Sequence, residues 1–246
     1  MNGRIETTLV DAVRIGAYTV GRPDRGEVVV VPGLCASAYL RPAAEALAAL
    51  GFRVHLVDPR GWPHSDPFPG QPESVAEVAG WVSRWLVASE LRDVVLIGQS
   101  MGAQLAAHVA GQCPEQVGLL ILQGPTFDPA YRTVPRALWR LLCDLPRERP
   151  SFVALEAPEW LRVGLRQVLG MARIGLRDRL EMTVNQVRAR VVVIVGEHET
   201  LATLPWTRTL GRGEDECPVV MPGLPHCAPY SDPAGFARLV VELSRR

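Results

Sequence analysis

The sequence predicts an α/β fold: a mostly parallel sheet of about eight strands, flanked by helices and carrying an inserted helical cap. Two observations carry this. Runs such as Val28-Val29-Val30-Val31 and Val191-Val192-Val193-Ile194-Val195 are apolar throughout, the mark of strands buried on both faces in a parallel sheet. Such runs also alternate with amphipathic stretches along most of the chain, and that rhythm implies right-handed crossovers. At 246 residues, 48% of them hydrophobic and 21% charged, the chain has the material for one large core.

The elements follow in order. Ile5 to Val10 and Val13 to Val20 read as a pair of antiparallel edge strands. A turn at Arg22-Pro23-Asp24-Arg25-Gly26 leads into the strand Glu27 to Val31, and Pro32 to Ser37 forms the loop after it. Arg41 to Leu50 reads as a helix stopped by Gly51. Phe52 to Val57 is a strand ending at Asp58, with a Pro- and Gly-rich loop running through Gln71. Glu73 to Ala88 is an amphipathic helix, with Val75, Val78, Ala79, Val82 and Leu86 along one side. Asp93 to Ile97 is a strand, Met101 to Gly111 a helix and Val117 to Leu122 a strand. From Pro125 to about Arg190 the rhythm breaks into helical segments near Pro135 to Cys143, Pro158 to Ile174 and Leu176 to Val187, the first two opened by prolines. Strands resume at Val191 to Val195 and Pro218 to Met221, and a helix closes the chain from Asp232 to Ser244. The division expected is a core of residues 1–125 and 190–246 with a cap of residues 126–189 inserted in it.

Composition excludes several classes of function. Formal net charge is zero, which argues against nucleic acid or an anionic membrane as partner. All 26 basic side chains are arginine, so Schiff-base chemistry and a P-loop lysine are ruled out. No apolar stretch approaches the ~20 residues of a membrane helix, and Met1 to Thr8 lacks the apolar core of a signal peptide. Five widely spread cysteines (Cys35, Cys113, Cys143, Cys217, Cys227) form no CxxC pair. They read as reduced thiols of a cytoplasmic protein, with no disulfide framework, metal or cofactor.

The chemistry concentrates at Gly98-Gln99-Ser100-Met101-Gly102, between a strand and a helix. A sharp turn there lifts the serine hydroxyl clear of the sheet, and the glycines avoid collisions with the neighbouring strand and helix. Composition alone produces the pattern in roughly one chain in ten of this size, so its context must carry the rest. His226, in the loop after the last strand, is a candidate base, because imidazole can take and return a proton near neutral pH.

With these motifs in this order the chain resembles the α/β-hydrolase superfamily, and in particular small bacterial serine esterases with a helical cap. The resemblance covers about residue 26 to the end. It implies Ser100 as nucleophile, His226 as base, and an acid in Gly196-Glu197-His198-Glu199-Thr200 after the preceding strand. Glu199 stands where aspartate is commonest; Glu197 and Asp128 are the alternatives. It further implies an oxyanion hole from the backbone N–H groups of Met101 and Leu34, although Pro32 stands where many relatives have histidine. The loop Asp58-Pro59-Arg60-Gly61-Trp62-Pro63-His64-Ser65-Asp66 resembles one that supports the serine from below. His55 and His108 read as structural histidines, and Cys35 as packing.

In the cap, 12 arginines lie between Phe127 and Arg190 against 7 acidic residues. Arg132, Arg136 and Arg140 stack at i, i+4 and i+8. They form either a solvated helix face or a basic lip attracting an anionic, carrier-linked acyl chain. Leu138, Trp139, Leu142 and Trp160 (with Leu165) are either an apolar acyl pocket or cap core. The function expected is hydrolysis of an ester or thioester of a small-molecule acyl substrate. Carbon–carbon bond cleavage or perhydrolysis on the same triad, and a non-catalytic ligand-binding protein, are the alternatives.

Overall fold

The structure is a computed structural model and describes residues 3–211 and 217–245. Strands β1 (Arg4–Val10) and β2 (Val13–Gly21) form a hairpin, followed by β3 (Glu27–Val31), helix α1 (Arg41–Ala49) and β4 (Arg53–Val57). Helix α2 (Val75–Ala88), β5 (Val94–Gln99), α3 (Met101–Gln112) and β6 (Val117–Gln123) complete the first part of the core. The sheet resumes with β7 (Arg190–Gly196) and β8 (Val219–Met221), joined by the short α8 (Leu204–Thr207) and followed by α9 (Ala228–Ser231) and α10 (Pro233–Leu243).

These strands form one eight-stranded sheet in the order β1-β2-β4-β3-β5-β6-β7-β8. From β4 onward every pairing is parallel, whereas β2 runs antiparallel to both β1 and β4. Only β1 is therefore an edge strand of the hairpin; β2 lies inside the sheet, and its buried Ile15, Ala17 and Val20 pack on both sides. Winding reverses at β3: the chain steps outward to β4 and returns to place β5 on the other side. Crevices at such a switch point, beyond the carboxyl ends of the strands, are where open α/β sheets bind ligands. The loop after β3 and the turn after β5 both lie there.

The core has two layers, one on each face of the sheet. Helices α2 and α3 cover one face with Val78, Val82, Leu86, Leu105 and Val109. Helices α1 and α10 cover the other with Leu47, Phe236, Val240 and Leu243.

Between β6 and β7 lie α4 (Val134–Asp144), α5 (Pro150–Val163), α6 (Leu165–Arg177) and α7 (Leu180–Val184), with no strand among the described residues. The helix expected from Pro158 to Ile174 is two helices. Pro150 stands in the first turn of α5 and Pro158 inside it. Gly164, at φ +93°, breaks the chain before α6. Glycine adopts that backbone geometry at little cost, so it overrides the apolar periodicity that bridges the break. The segment expected at Leu176 to Val187 shortens to α7, because Asp178 and Arg179 leave helical geometry.

Candidate active site

Ser100 follows β5 directly and stands at the N-cap of α3, with φ +56° and ψ −121°. This backbone region is sparsely populated for a residue with a side chain. It is held by Ser100 N–H donating to the Gln123 carbonyl at 2.9 Å and by its own carbonyl accepting from Ala103 N–H at 3.0 Å. Gly98 and Gly102 make the turn possible: a Cβ on Gly98 would lie 2.3 Å from the Gly102 carbonyl oxygen, and one on Gly102 would lie 2.2 Å from that of Val31. Serine at an N-cap ordinarily accepts from the helix amides, as Ser74 does from Glu77 N–H at the start of α2. Ser100 does not; its hydroxyl is left for something else.

Gln123, at the end of β6, ties Ser100 to the histidine loop. Its main chain receives the Ser100 amide, and its side chain donates to the His226 carbonyl at 2.9 Å. The imidazole is buried, and its Nδ1 lies 2.7 Å from Glu199 Oε2. Glu199 Oε1 accepts from the Leu201 and Ala202 amides at 2.6 and 3.1 Å, so the carboxylate is fixed at both oxygens. Nε2 of His226 is buried without a hydrogen-bond partner among the described residues. With Nδ1 engaged by a carboxylate, Nε2 is the position from which a proton can be accepted or returned.

Charge tunes this pair. Burial alone would lower the His226 pKa, but the Glu199 charge and hydrogen bond, helped by Asp144 and Glu148, outweigh it and raise it to about 9. Burial likewise opposes ionisation of Glu199, yet the imidazolium and the two loop amides hold its pKa below the ordinary value. Of the three carboxylates expected as the acid, only Glu199 reaches the histidine. Asp128 accepts from Ala130 N–H at 2.8 Å and from the Thr203 hydroxyl. Glu197 is exposed and accepts from Gly223 N–H at 2.7 Å; the exposed His198 is bound through its amide to the Leu224 carbonyl.

The loop after β3 lies against the serine: a Cβ on Gly33 would come within 3.4 Å of Ser100 Cβ. Its Gly33 amide donates to Tyr39 Oη at 2.9 Å, and Tyr39 donates in turn to Gln99 Oε1 at 2.6 Å. The Met101 N–H, as the first residue of α3, has no acceptor within the helix. The 58–66 loop props this segment rather than the serine, because Trp62 Nε1 donates to the Gly33 carbonyl at 2.9 Å. Cys35, at φ +51°, is fully buried, with its thiol pKa pushed far up by burial. His55 bonds Glu27 and Thr19, and His108 bonds Asp178.

Besides Trp160, named above as an acyl-pocket candidate, residues that sequence reasoning passed over surround the site, and most come from the cap. Glu159 Oε2 accepts from the Ser37 and Ala38 amides at 2.7 and 3.0 Å. Trp160 Nε1 donates to the Leu34 carbonyl at 2.7 Å. Glu148 Oε1 accepts from the Cys227 amide at 2.6 Å, one residue past His226. Thr200, beside Glu199, donates to Asp144 Oδ1 at 3.0 Å. The cap thus holds each of the three loops at or next to its candidate residue. Gly124, at φ +49°, has a different part: a Cβ there would lie 2.9 Å from His226 Nδ1 and 3.0 Å from Glu199 Oε2. Its signal in the sequence was a Gly-Pro turn directly after a strand.

The cap's charges are sorted by face. Carboxylates turn inward: burial raises Glu148 to about 7 and Glu156 to about 8, and also raises Asp144. The arginines turn outward, except Arg132, Arg140 and Arg190, which are half-buried. Arg132 pairs with Glu181, and Arg140 stacks on Tyr131. Of the stacked set Arg132, Arg136 and Arg140, only Arg136 is an exposed, solvated side chain. Of the four residues expected around an acyl group, only Trp160 turns toward the site. Leu138, Trp139 and Leu142 are 53%, 66% and 51% exposed, which rules out the cap-core reading for them.

The family model for the alpha/beta hydrolase fold matches residues 27–158. A 2-hydroxy-6-oxononadienedioate/2-hydroxy-6-oxononatrienedioate hydrolase of Cupriavidus pinatubonensis is 36% identical over 128 residues, which are 51% of this chain and 44% of that protein. The match therefore spans less than half the length of this relative. Among solved structures, Cfl2 from Burkholderia cenocepacia superposes with a TM-score of 0.78 at 20% identity, covering 99% of this chain and 96% of that one. The meta-cleavage product hydrolase CumD from Pseudomonas fluorescens IP01 gives 0.73 at 19% identity, with 96% of each chain covered. At these identities the two structures speak to the fold alone. Sheet order, switch-point crevice and matched family model together place this chain in the alpha/beta hydrolase family.

Proposed function

We propose that this protein is a serine hydrolase of uncharged carboxylic esters or thioesters. One observation carries the proposal: an N-cap serine whose hydroxyl caps nothing, tied through Gln123 to an imidazole whose Nδ1 is held by Glu199 and whose Nε2 is free. Ser100 Oγ attacks the acyl carbon while His226 Nε2 takes its proton. Glu199 keeps the imidazole in the required tautomer and stabilises the imidazolium. The Met101 and Leu34 amides receive the oxyanion, and His226 returns the proton to the departing alcohol or thiol. Water then repeats the sequence on the acyl-enzyme and frees the acid. The hydrogen bond from the Ser100 hydroxyl to His226 Nε2 forms on substrate binding, since such bonds are often unmade in the free enzyme.

Burial that raises the carboxyl groups of Asp144, Glu148 and Glu156 near His226 supports an uncharged substrate, since a substrate carboxylate there would meet the same desolvation cost. A second reading is favoured by the relative from Cupriavidus pinatubonensis. The substrate in its name contains no ester, so the bond that water breaks there is carbon–carbon, and the same triad could serve that reaction. It is also a dioate, which the desolvation cost beside His226 disfavours.

A fluorophosphonate probe and a substrate panel test these readings. Stoichiometric labelling abolished in Ser100→Ala, with turnover of neutral aryl esters or acyl thioesters of graded length, is the expected result. Turnover of the dienedioate in preference to every ester would move the assignment to the second reading. Folded protein that takes no label would make it a binding protein.

A further inference from the structure

Helix α4 is inverted relative to an ordinary surface helix. Its residues Arg140 and Asp144 face the core: the Arg140 carbonyl and the Asp144 carboxylate both accept from Thr200 Oγ1, and Asp144 is buried. The opposite side carries Val134, Leu138, Leu142 and, in the turn beyond, Leu145, spaced i, i+4, i+8 and i+11. These are 65%, 53%, 51% and 40% exposed, and Trp139 beside them is 66% exposed. A soluble helix ordinarily turns such a stripe inward. Clustered apolar exposure of this kind marks an interaction surface.

The charges around the stripe say what it meets. Between residues 127 and 190 no carboxylate is exposed: Asp128, Asp144 and Glu148 are buried, and Glu156, Glu159, Asp178 and Glu181 are half-buried. Arg147 and Arg149 stand just past the C-terminal end of α4, both exposed. The α5–α6 corner repeats the composition, with exposed Leu161, Leu165 and Leu169 beside exposed Arg162 and Arg166. The zero net charge of the chain is thus a sum over unlike faces, and on this one the exposed charge is positive.

We propose that the outer face of the cap docks on an anionic lipid bilayer surface, α4 lying in the headgroup region with Leu138, Trp139 and Leu142 inserted and Arg147 and Arg149 on the phosphates. An apolar stripe edged by arginine, with a tryptophan at its margin, is the composition of an interfacial helix. A second copy of the chain fits worse, because a two-fold contact through this face would set arginine against arginine. The inference does not depend on the catalytic reading; it concerns where the chain works, not what it cleaves.

Each arginine near an anionic leaflet multiplies partitioning about fivefold, so two give roughly a 25-fold preference over neutral lipid. Vesicle sedimentation of the full chain measures this. Phosphatidylcholine vesicles containing 30 mol% phosphatidylglycerol should bind about 25-fold more tightly than pure phosphatidylcholine, and most of that preference should vanish in 0.5 M salt. Leu138→Glu/Leu142→Glu should abolish binding, and Arg147→Gln/Arg149→Gln should weaken it more than tenfold. The emission of Trp139 should shift to the blue on binding, a change missing from Trp139→Phe. Circular dichroism and thermal unfolding verify that each variant is folded. Equal binding to both vesicle types, no binding to either, or binding untouched by Leu138→Glu/Leu142→Glu would overturn the proposal. So would a dimer that forms through this face in sedimentation equilibrium and excludes vesicles.

Discussion

Gly124→Ala is the sharpest test of the active-site geometry, because the added methyl enters between the two groups of the histidine–carboxylate pair. Its Cβ would lie 2.9 Å from both Cε1 and Nδ1 of His226 and 3.0 Å from Glu199 Oε2. Unstrained heavy-atom contacts sit near 3.5–4.0 Å, so imidazole and carboxylate must retreat by about 0.5–1 Å. They cannot do so together, since the methyl lies against both ends of a 2.7 Å hydrogen bond. A displacement of about 1 Å in a catalytic group costs on the order of a hundredfold in rate, equivalent to about 2.7 kcal/mol of transition-state stabilisation. The backbone adds its own cost. At φ +49° alanine is less favourable than glycine by about 1–2 kcal/mol, which is lost from folding stability. The expected outcome is therefore a folded protein, roughly 1–2 kcal/mol less stable in urea titration, with kcat/KM on a neutral aryl ester down at least a hundredfold. If kcat/KM stays within threefold of wild type while the variant folds, the His226–Glu199 pair is not the machinery proposed.

Further expectations concern protons and the cap. As His226 must be neutral to accept from Ser100, kcat/KM should rise with pH, with its midpoint well above 6.5 and near 9; a rate flat across that range would contradict the role. Glu148→Gln removes one of the charges that stabilise the imidazolium, so it should move the midpoint to lower pH; a purely structural role would leave the midpoint in place. Stability should fall as pH rises from about 5 to 9. The folded protein keeps protons on Glu148 and Glu156 up to about 7 and 8 and on His226 up to about 9, after the unfolded chain has released them. A Tm that rises over that window would show these groups to be solvated. Trp160→Phe keeps the ring but deletes the hydrogen bond to the Leu34 carbonyl. It should cost about 1 kcal/mol of stability and lower kcat about tenfold with little change in KM. A KM effect alone would make Trp160 a substrate contact instead.

The sequence by itself determined what local chemistry can encode. Runs of valine specify buried parallel strands, Gly98 and Gly102 bracket a turn that nothing larger could make, and Ser100, Glu199 and His226 occur in an order that identifies the family. Element boundaries followed wherever proline, glycine or a cap residue stops a helix, and slipped at Gly164, where apolar periodicity runs across the break. Only the tertiary structure could decide which of several equivalent groups meet. Glu199, Glu197 and Asp128 are alike as carboxylates; the approach of β7 to the histidine loop gives His226 to Glu199. Nor does periodicity carry a direction. The stripe Leu138-Trp139-Leu142 is legible as a face of α4, but whether it meets the acyl group, the cap core or solvent depends on how the cap packs, and it meets solvent. The cap's grip on the three loops through Glu148, Glu159 and Trp160 joins residues up to 126 positions apart. Contacts at that separation leave no periodic trace in a single sequence, because neither partner constrains its own neighbours.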